Sequence, residues 1–317
     1  MSRRLVLAIA SLAVAACALP ASSCGVGPGE QEAGEGTLTV TRNFGEEPLG
    51  SRATGGASES DTVMRVLQRD FEVETRFGGN FVEEIDGVAG GGQDGRRVDW
   101  FYYVNGILAE DGAAAHKLGA GDDVWWDHHD WSASADVRAV VGAFPEPFLS
   151  GVGGKRLPVR LDCAAAAQDA CDEVAERLGR VGVKAGRSAA GGFGGEGLLR
   201  IKVGFWADLR RDATVRRLEE GPRASGVYAR PSAVGDAIAL LDPEGRTVRT
   251  LDAGSGLVAA TKLGGEAPTW VVTGTDAVGL AAAAAQLDRD ALADRFAIAL
   301  EDGRPVALPI QPPPETP

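Results

Sequence analysis

The sequence predicts an α+β protein in which a small β-rich unit is followed by an α/β layered unit. Residues 99–131 hold four of the six tryptophans and two of the three tyrosines, in two runs bounded by turn residues, the composition of paired strands. From Ala133 onward the aromatics thin out and Ala, Leu, Val and Arg take over. Beyond that point strand-like and helix-like segments alternate, as in a layered α/β fold. A length of 317 residues suits two domains. The division read from these shifts is a signal peptide over 1–24, a tether over 25–36, the β-rich unit over 37–132, the α/β unit over 136–308 and a Pro-rich tail over 309–317.

The N-terminus has the form of an export signal. Arg3 and Arg4 give it a positive start, and the apolar run 5–16 that follows is too short to span a bilayer. Two cysteines, Cys17 and Cys24, stand in settings suited to lipidation. Cys24 is preferred, because its use leaves no odd cysteine in the exported chain. An ordinary secretory signal cut nearby is the plainer alternative. Residues 25–36 are Gly- and Glu-rich with too little apolar content to fold, hence a tether. Net charge is −13, and loss of the two signal arginines takes it to −15. Such a surface repels phosphate backbones and argues against nucleic acid as a partner.

The first ordered element is a strand over 37–44, where Leu38, Val40 and Phe44 alternate with polar residues. A Gly/Ser loop is expected over 45–59. Ser60 or Asp61 then caps a helix over 62–69, whose Val63, Val66 and Leu67 form one stripe. Short strands over 73–77 and 81–85 follow, and a polar loop over 90–97. The two aromatic strands close the unit. In extended chain Trp100, Tyr102 and Val104 share one face, and Phe101 and Tyr103 the other. In the second run Val124, Trp126 and His128 oppose Trp125, Asp127, His129 and Trp131. Trp126 is assigned to the core. Trp125, Asp127, His129 and Trp131, with Trp100, Tyr102 and Tyr103, are the candidate ligand-binding residues, because a core would pay to bury Asp127 and His129 and because exposed aromatics serve as binding sites.

Four segments carry a resemblance. The helix residues Val63 to Leu67, then Phe-Val-Glu-Glu-Ile-Asp-Gly (81–87), Trp-Phe-Tyr-Tyr-Val-Asn-Gly (100–106) and Gly-Asp-Asp-Val-Trp-Trp (121–126) resemble the transcobalamin-like C-terminal domain family over about 95 residues. In the vitamin carriers of that family, this unit clasps one side of a corrinoid and a helical barrel holds the other. The resemblance therefore implies cobalamin or a similar corrinoid as ligand. The chain has no repeated amphipathic helices from which such a barrel could form. A second wall must come from the rest of the chain or from another protein.

In the second unit, strands are expected over 137–141, 157–161, 198–205, 227–229, 238–241, 248–251, 257–261, 269–272 and 297–300. Helices are expected over 169–178, 207–218, 276–287 and 290–296, with a rigid turn at Phe144–Pro147. Cys163 and Cys171 lie eight residues apart. One continuous helix would separate them by about 12 Å, so a disulfide requires Cys163 to end a strand and the helix to begin near Asp169. The turn through Thr273, Gly274 and Thr275 into Asp276 reads as tight strand-to-helix packing, since Asp276 stands where an anion would sit. Of the three histidines, His128 or His129 could ligate a corrin metal, but adjacent strand residues face opposite ways and a solvated strand end is the simpler reading.

No nucleophile and base set is apparent, so an enzyme is not expected and no cofactor is required. The functional expectation is an exported, lipid-anchored protein that binds a corrinoid-like molecule at the cell membrane, with a companion transporter or helical-barrel protein. The alternative is a cell-surface module that meets a protein or glycan.

Overall fold

A computed structural model describes residues 36–54, 61–79, 81–93, 95–189 and 197–311. The lipidation candidates Cys17 and Cys24, the cap candidate Ser60 and most of the Pro-rich tail lie outside the described residues. The chain is α+β. Among the described residues no helix is long and apolar enough to cross a membrane.

The first unit is built on a sheet of β1 (Thr37–Arg42), β2 (Glu47–Ala53), β6 (Gly91–Gln93), β7 (Arg96–Val104), β8 (Ile107–Leu108) and β9 (Val124–Asp130). The strand order is β2-β1-β9-β7-β6, with β8 paired to β7. β9 is central, parallel to β1 and antiparallel to β7. A smaller sheet of β3 (Val73–Arg76), β4 (Phe81–Ile85) and β5 (Val88–Ala89) and the helix α1 (Val63–Asp70) cover one face. Leu38, Val40, Val66, Leu67, Ile85, Trp100, Tyr102 and Trp126 meet there in one core.

Two local differences from the sequence reading have physical causes. The expected loop at 45–59 contains β2, an edge strand almost wholly exposed, so no apolar alternation announces it; Pro48 fits because an edge position needs no donor. The cap of α1 is Thr62, whose hydroxyl accepts from the Arg65 amide. Asp61 instead pairs with Arg69 at 2.6 Å.

The second unit has a seven-stranded sheet in the order β11-β10-β12-β17-β16-β18-β19. Its strands are β10 (Val159–Cys163), β11 (Ala185–Ala189), β12 (Leu199–Phe205), β16 (Gly256–Thr261), β17 (Thr269–Gly274), β18 (Ala297–Glu301) and β19 (Arg304–Leu308). β11, β10, β12 and β17 run parallel, and the rest antiparallel. Helices α2 (Gln168–Arg180) and α6 (Ala277–Ala284) bury Val174, Leu178 and Leu280 against Leu161, Ile201 and Val272. A small sheet of β13 (Ala229–Pro231), β14 (Ile238–Leu241) and β15 (Thr247–Leu251) adds to the opposite side.

Cys163 ends β10 and Cys171 sits in α2, joined as a disulfide with 6.0 Å between their Cα atoms. The segment 137–141 makes only an isolated bridge, Ala139 to Ile107, and runs buried between the units. The charged stretch 207–218 is not one helix. Asp212 accepts from the Thr214 and Val215 amides and so starts α4 (Ala213–Arg216) afresh after α3 (Trp206–Leu209).

Candidate functional site

The aromatic wall is not an open face. Every residue of β9 is buried. Trp100, Tyr102 and Trp126 lie in the core of the first unit, while Tyr103 and Trp125 belong to a second core shared with the α/β unit. Phe296 of that unit inserts among Tyr103, Trp125, His129 and Phe44, with ring centroids 5.7, 5.2, 5.2 and 5.0 Å away. Trp131 is half-buried, its indole donating to Asp99 at 2.8 Å beneath the Arg97 guanidinium. The face assigned to a ligand is thus a seam between two parts of the same chain.

Asp127 and His129 can be buried because they are partnered. The Asp127 carboxylate accepts from the Thr41 hydroxyl (2.5 Å), the Phe44 amide (3.0 Å) and the Gly45 amide (2.9 Å), and faces His129 Nδ1 at 2.8 Å. Four partners offset the desolvation that makes a buried carboxylate costly. Two of them come from the turn after β1, where Asn43, Phe44 and Gly45 take positive φ. The Trp125 indole likewise donates to the Thr41 hydroxyl at 2.8 Å.

A cavity lies beside the seam. A cleft of about 640 Å³ is lined by Val104, Asn105, Ile107, Leu108, Glu110, Asp111, His116, Lys117 and Asp122 from the first unit, and by Val152, Gly153, Gly154, Leu157, Lys262 and Glu266 from the second. Its volume falls within the range of small-molecule sites, which favour domain interfaces. The tip of the β7–β8 hairpin forms part of the wall. There Asn105 and Gly106 both take positive φ, as a two-residue Asn-Gly turn requires. The Asn105 amide donates to Asp122 (2.8 Å) and to the Gly151 carbonyl (3.3 Å), and its oxygen accepts from the Asp123 amide (3.0 Å).

A chain of contacts fixes the lip at 109–116. The Tyr102 hydroxyl donates to the Asp111 carbonyl at 2.5 Å, and Asp111 faces His116 Nδ1 at 2.7 Å. Burial, reinforced by Asp111, raises the Tyr102 hydroxyl's pKa, so it stays a donor. Tyr102 therefore reaches the site through the lip it holds. Lys262 joins the two walls, its ammonium 3.2 Å from Glu110 and donating to the Gly264 carbonyl at 2.6 Å. The lining combines apolar side chains, two ammonium groups, carboxylates and one imidazole, which suits binding of a large amphiphilic molecule.

Next to the cleft, Glu146 is buried, and its carboxylate accepts from the Ser150 amide and hydroxyl, each at 2.8 Å. Burial, opposed by these bonds and reinforced by Asp123 and Asp122, lifts its pKa from 4.5 to about 7. Burial likewise raises Asp123, against its bonds from Thr37. Asn105, Asp111, His116 and Lys262 were not among the sequence candidates. The Val-Asn-Gly turn signals where the hairpin tip lies, but nothing local shows that a loop some 150 residues later faces it.

Residues 60–130 match the family described as a domain of unknown function (DUF4430). No curated protein matches the chain. Two solved structures each resemble 31% of it. One is a Ruminococcus gnavus protein given the provisional description of metal-binding protein, matched over 98% of its length at 17% identity with a TM-score of 0.25. The other is haptocorrin in complex with Cbi, matched over 26% of its length at 14% identity with a TM-score of 0.23.

Proposed function

We propose that the chain is an exported binding protein, anchored through a lipid on Cys24, which takes a corrinoid-like molecule in the cleft between its two units. It acts by binding rather than catalysis, needs no cofactor of its own and hands its ligand to a companion membrane transporter or helical-barrel protein. The observation that carries this reading is the position of the hairpin tip. The Trp-Phe-Tyr-Tyr-Val-Asn-Gly stretch, on which the resemblance to the vitamin carriers rests, ends in the cleft wall at Val104 and Asn105. The α/β unit supplies the second wall that a helical barrel supplies in those carriers. The buried indoles do not contribute stacking; apolar contact from Ile107, Leu108 and Leu157 and the polar groups of the lip take that role.

Equilibrium dialysis of the soluble Cys24→Ala protein against cyanocobalamin and cobinamide tests the reading. Saturable binding at one site, weakened at least tenfold by Lys262→Glu, is the expected result. A folded protein that retains neither corrinoid overturns it. The same variant tests the anchor, since wild type should partition into detergent and Cys24→Ala should not. Release by Cys17→Ala instead would move the anchor to Cys17.

One observation favours the other reading, a surface module for a protein or glycan. Phe77 and Phe81 stand exposed at the β3–β4 hairpin, at 81% and 39% of their full area, and exposed aromatics mark contact sites. Loss of cell-surface retention in Phe77→Ser, with corrinoid binding absent from wild type, would support that alternative.

A further inference from the structure

The α/β unit holds a second cavity, of about 890 Å³, at the carboxyl ends of β10, β11 and β12. β10 lies between β11 on one side and β12 on the other. The chain leaves β10 through α2 to reach β11, then crosses back to β12, so the strand order reverses at this point. In open parallel sheets, ligands bind in the crevice outside the carboxyl ends at such a reversal.

The floor of the crevice is a built array of charge. Asp162 is fully buried, and its carboxylate accepts from Ser188 Oγ (2.6 Å), Arg160 Nε (2.8 Å), Lys202 Nζ (3.2 Å) and Arg200 Nη1 (3.4 Å). Lys202, also buried, sits 3.0 Å from Asp212 on the opposite wall. Asp212 is itself occupied by the amides it caps and by Lys202. Its pKa is lowered by these bonds despite burial, and the same holds for Asp162 with its own partners. Both acids are therefore ionised and already saturated.

Among the described residues the Lys202 ammonium is not saturated. An ammonium carries three N–H groups, and Lys202 has two carboxylate partners. Arg160, which does not itself line the crevice, has its Nη2 buried with no acceptor among the described residues. α2 opens at the crevice rim after Ala165 and Ala166 with no side-chain cap on its first turn. Among the residues that line the crevice, Arg187, Lys202 and Arg211 match Asp162, Asp208 and Asp212, so it is electrically balanced in a chain whose net charge is −13. The rim pairs Arg187 with Asp172 and Arg211 with Asp208 (3.5 Å).

We propose that this crevice is a second ligand site, separate from the interdomain cleft, which holds a small molecule by an oxyanion group, a carboxylate or a phosphate, set against the Lys202 ammonium. The apolar rim of Ala164, Ala165, Ala166, Leu209 and Ala213 meets the remainder of that molecule. Isothermal titration of the soluble chain with inorganic phosphate and with succinate distinguishes the two oxyanions. Saturable binding of at least one, with one site per chain, is expected. Ala166→Glu places an acid at the exposed rim, two residues before α2, where a carboxylate near a helix N-terminus is favourable, and should weaken that binding at least tenfold with no loss of melting temperature. Lys202→Gln should abolish it, and Lys202→Arg should retain a part. No saturable heat from either anion in the wild type overturns the proposal. Equal affinity in Ala166→Glu also overturns it, since a general salt effect on stability would not sense the rim.

Discussion

Asp127 shows how far single residues control this structure. Its carboxylate ties β9 to the turn after β1 and to His129. Asp127→Ala leaves several buried donors without an acceptor, and each such donor costs about 1 to 3 kcal/mol. Urea unfolding should show a loss of at least about 3 kcal/mol; a loss under about 1 would mean the carboxylate is not the organising group. Glu146 makes a prediction with the opposite dependence on charge. Its folded pKa of about 7 exceeds the ordinary 4.5, so the folded protein holds the proton more tightly than the unfolded chain. The resulting stabilisation is complete below pH 4.5, declines as pH rises and is gone above about 7, a change of about 3 kcal/mol. Glu146→Gln should remove that slope between pH 4.5 and 7, and parallel curves for variant and wild type would refute the assignment. From the sequence Asp127 and His129 read as exposed because burial would be costly. The donors to Asp127, from Thr41, Phe44 and Gly45, lie more than eighty residues earlier, where no local pattern reveals them, and His129 is held in turn by Asp127.

The two aromatic strands behave as a single sheet element with two occupied faces. The period-two count separated Trp126 from Trp125, and the structure keeps them apart, in the cores on either side of the sheet. What the count could not show is that the α/β unit covers the second face, because that cover comes from Phe296 and Tyr228, far along the chain. Trp125→Ala and Trp126→Ala should therefore both destabilise the protein by about 3 to 5 kcal/mol. Unchanged melting of Trp125→Ala would return that indole to the surface. Of the parallel strands of the second unit, β10, β12 and β17 were legible from their apolar runs, as were the helices α2 and α6, but β11, Ala-Gly-Arg-Ser-Ala, was not. β2 was not, being an exposed edge with no buried stripe. The passage from β17 into α6 was read as close packing, and the glycines there bear it out. A Cβ on Gly279 would lie 1.9 Å from the Ser255 carbonyl oxygen, and one on Gly274 2.2 Å from the Leu280 amide nitrogen. Gly279→Ala should cost about 2 kcal/mol or more by overpacking, and a variant as stable as wild type would show that the helix can lift away.

At the scale of the whole molecule, the seam makes two units of different composition share one core. Phe296 contributes ring contacts to four residues of the first unit, so Phe296→Ala should lower the stability of both units together, by about 3 to 5 kcal/mol. A wild-type melt followed by tryptophan fluorescence and by far-UV dichroism should give one coincident transition. Two separated transitions would show that the units unfold independently. The seam also places the cleft, since packing Phe296 against β9 brings the 262–267 loop to the hairpin tip at Asn105. Binding there is the central claim, and one calorimetric titration tests it most directly. Cobinamide is titrated into the soluble Cys24→Ala protein, whose cleft is wild type, and into the same protein carrying Glu266→Trp, which fills the cleft from an exposed position of the second unit. Saturable binding at one site in the Cys24→Ala protein, weakened at least tenfold in a Glu266→Trp protein of unchanged melting temperature, is the predicted result. Equal affinity in the two proteins, or none in a folded Cys24→Ala protein, would contradict it.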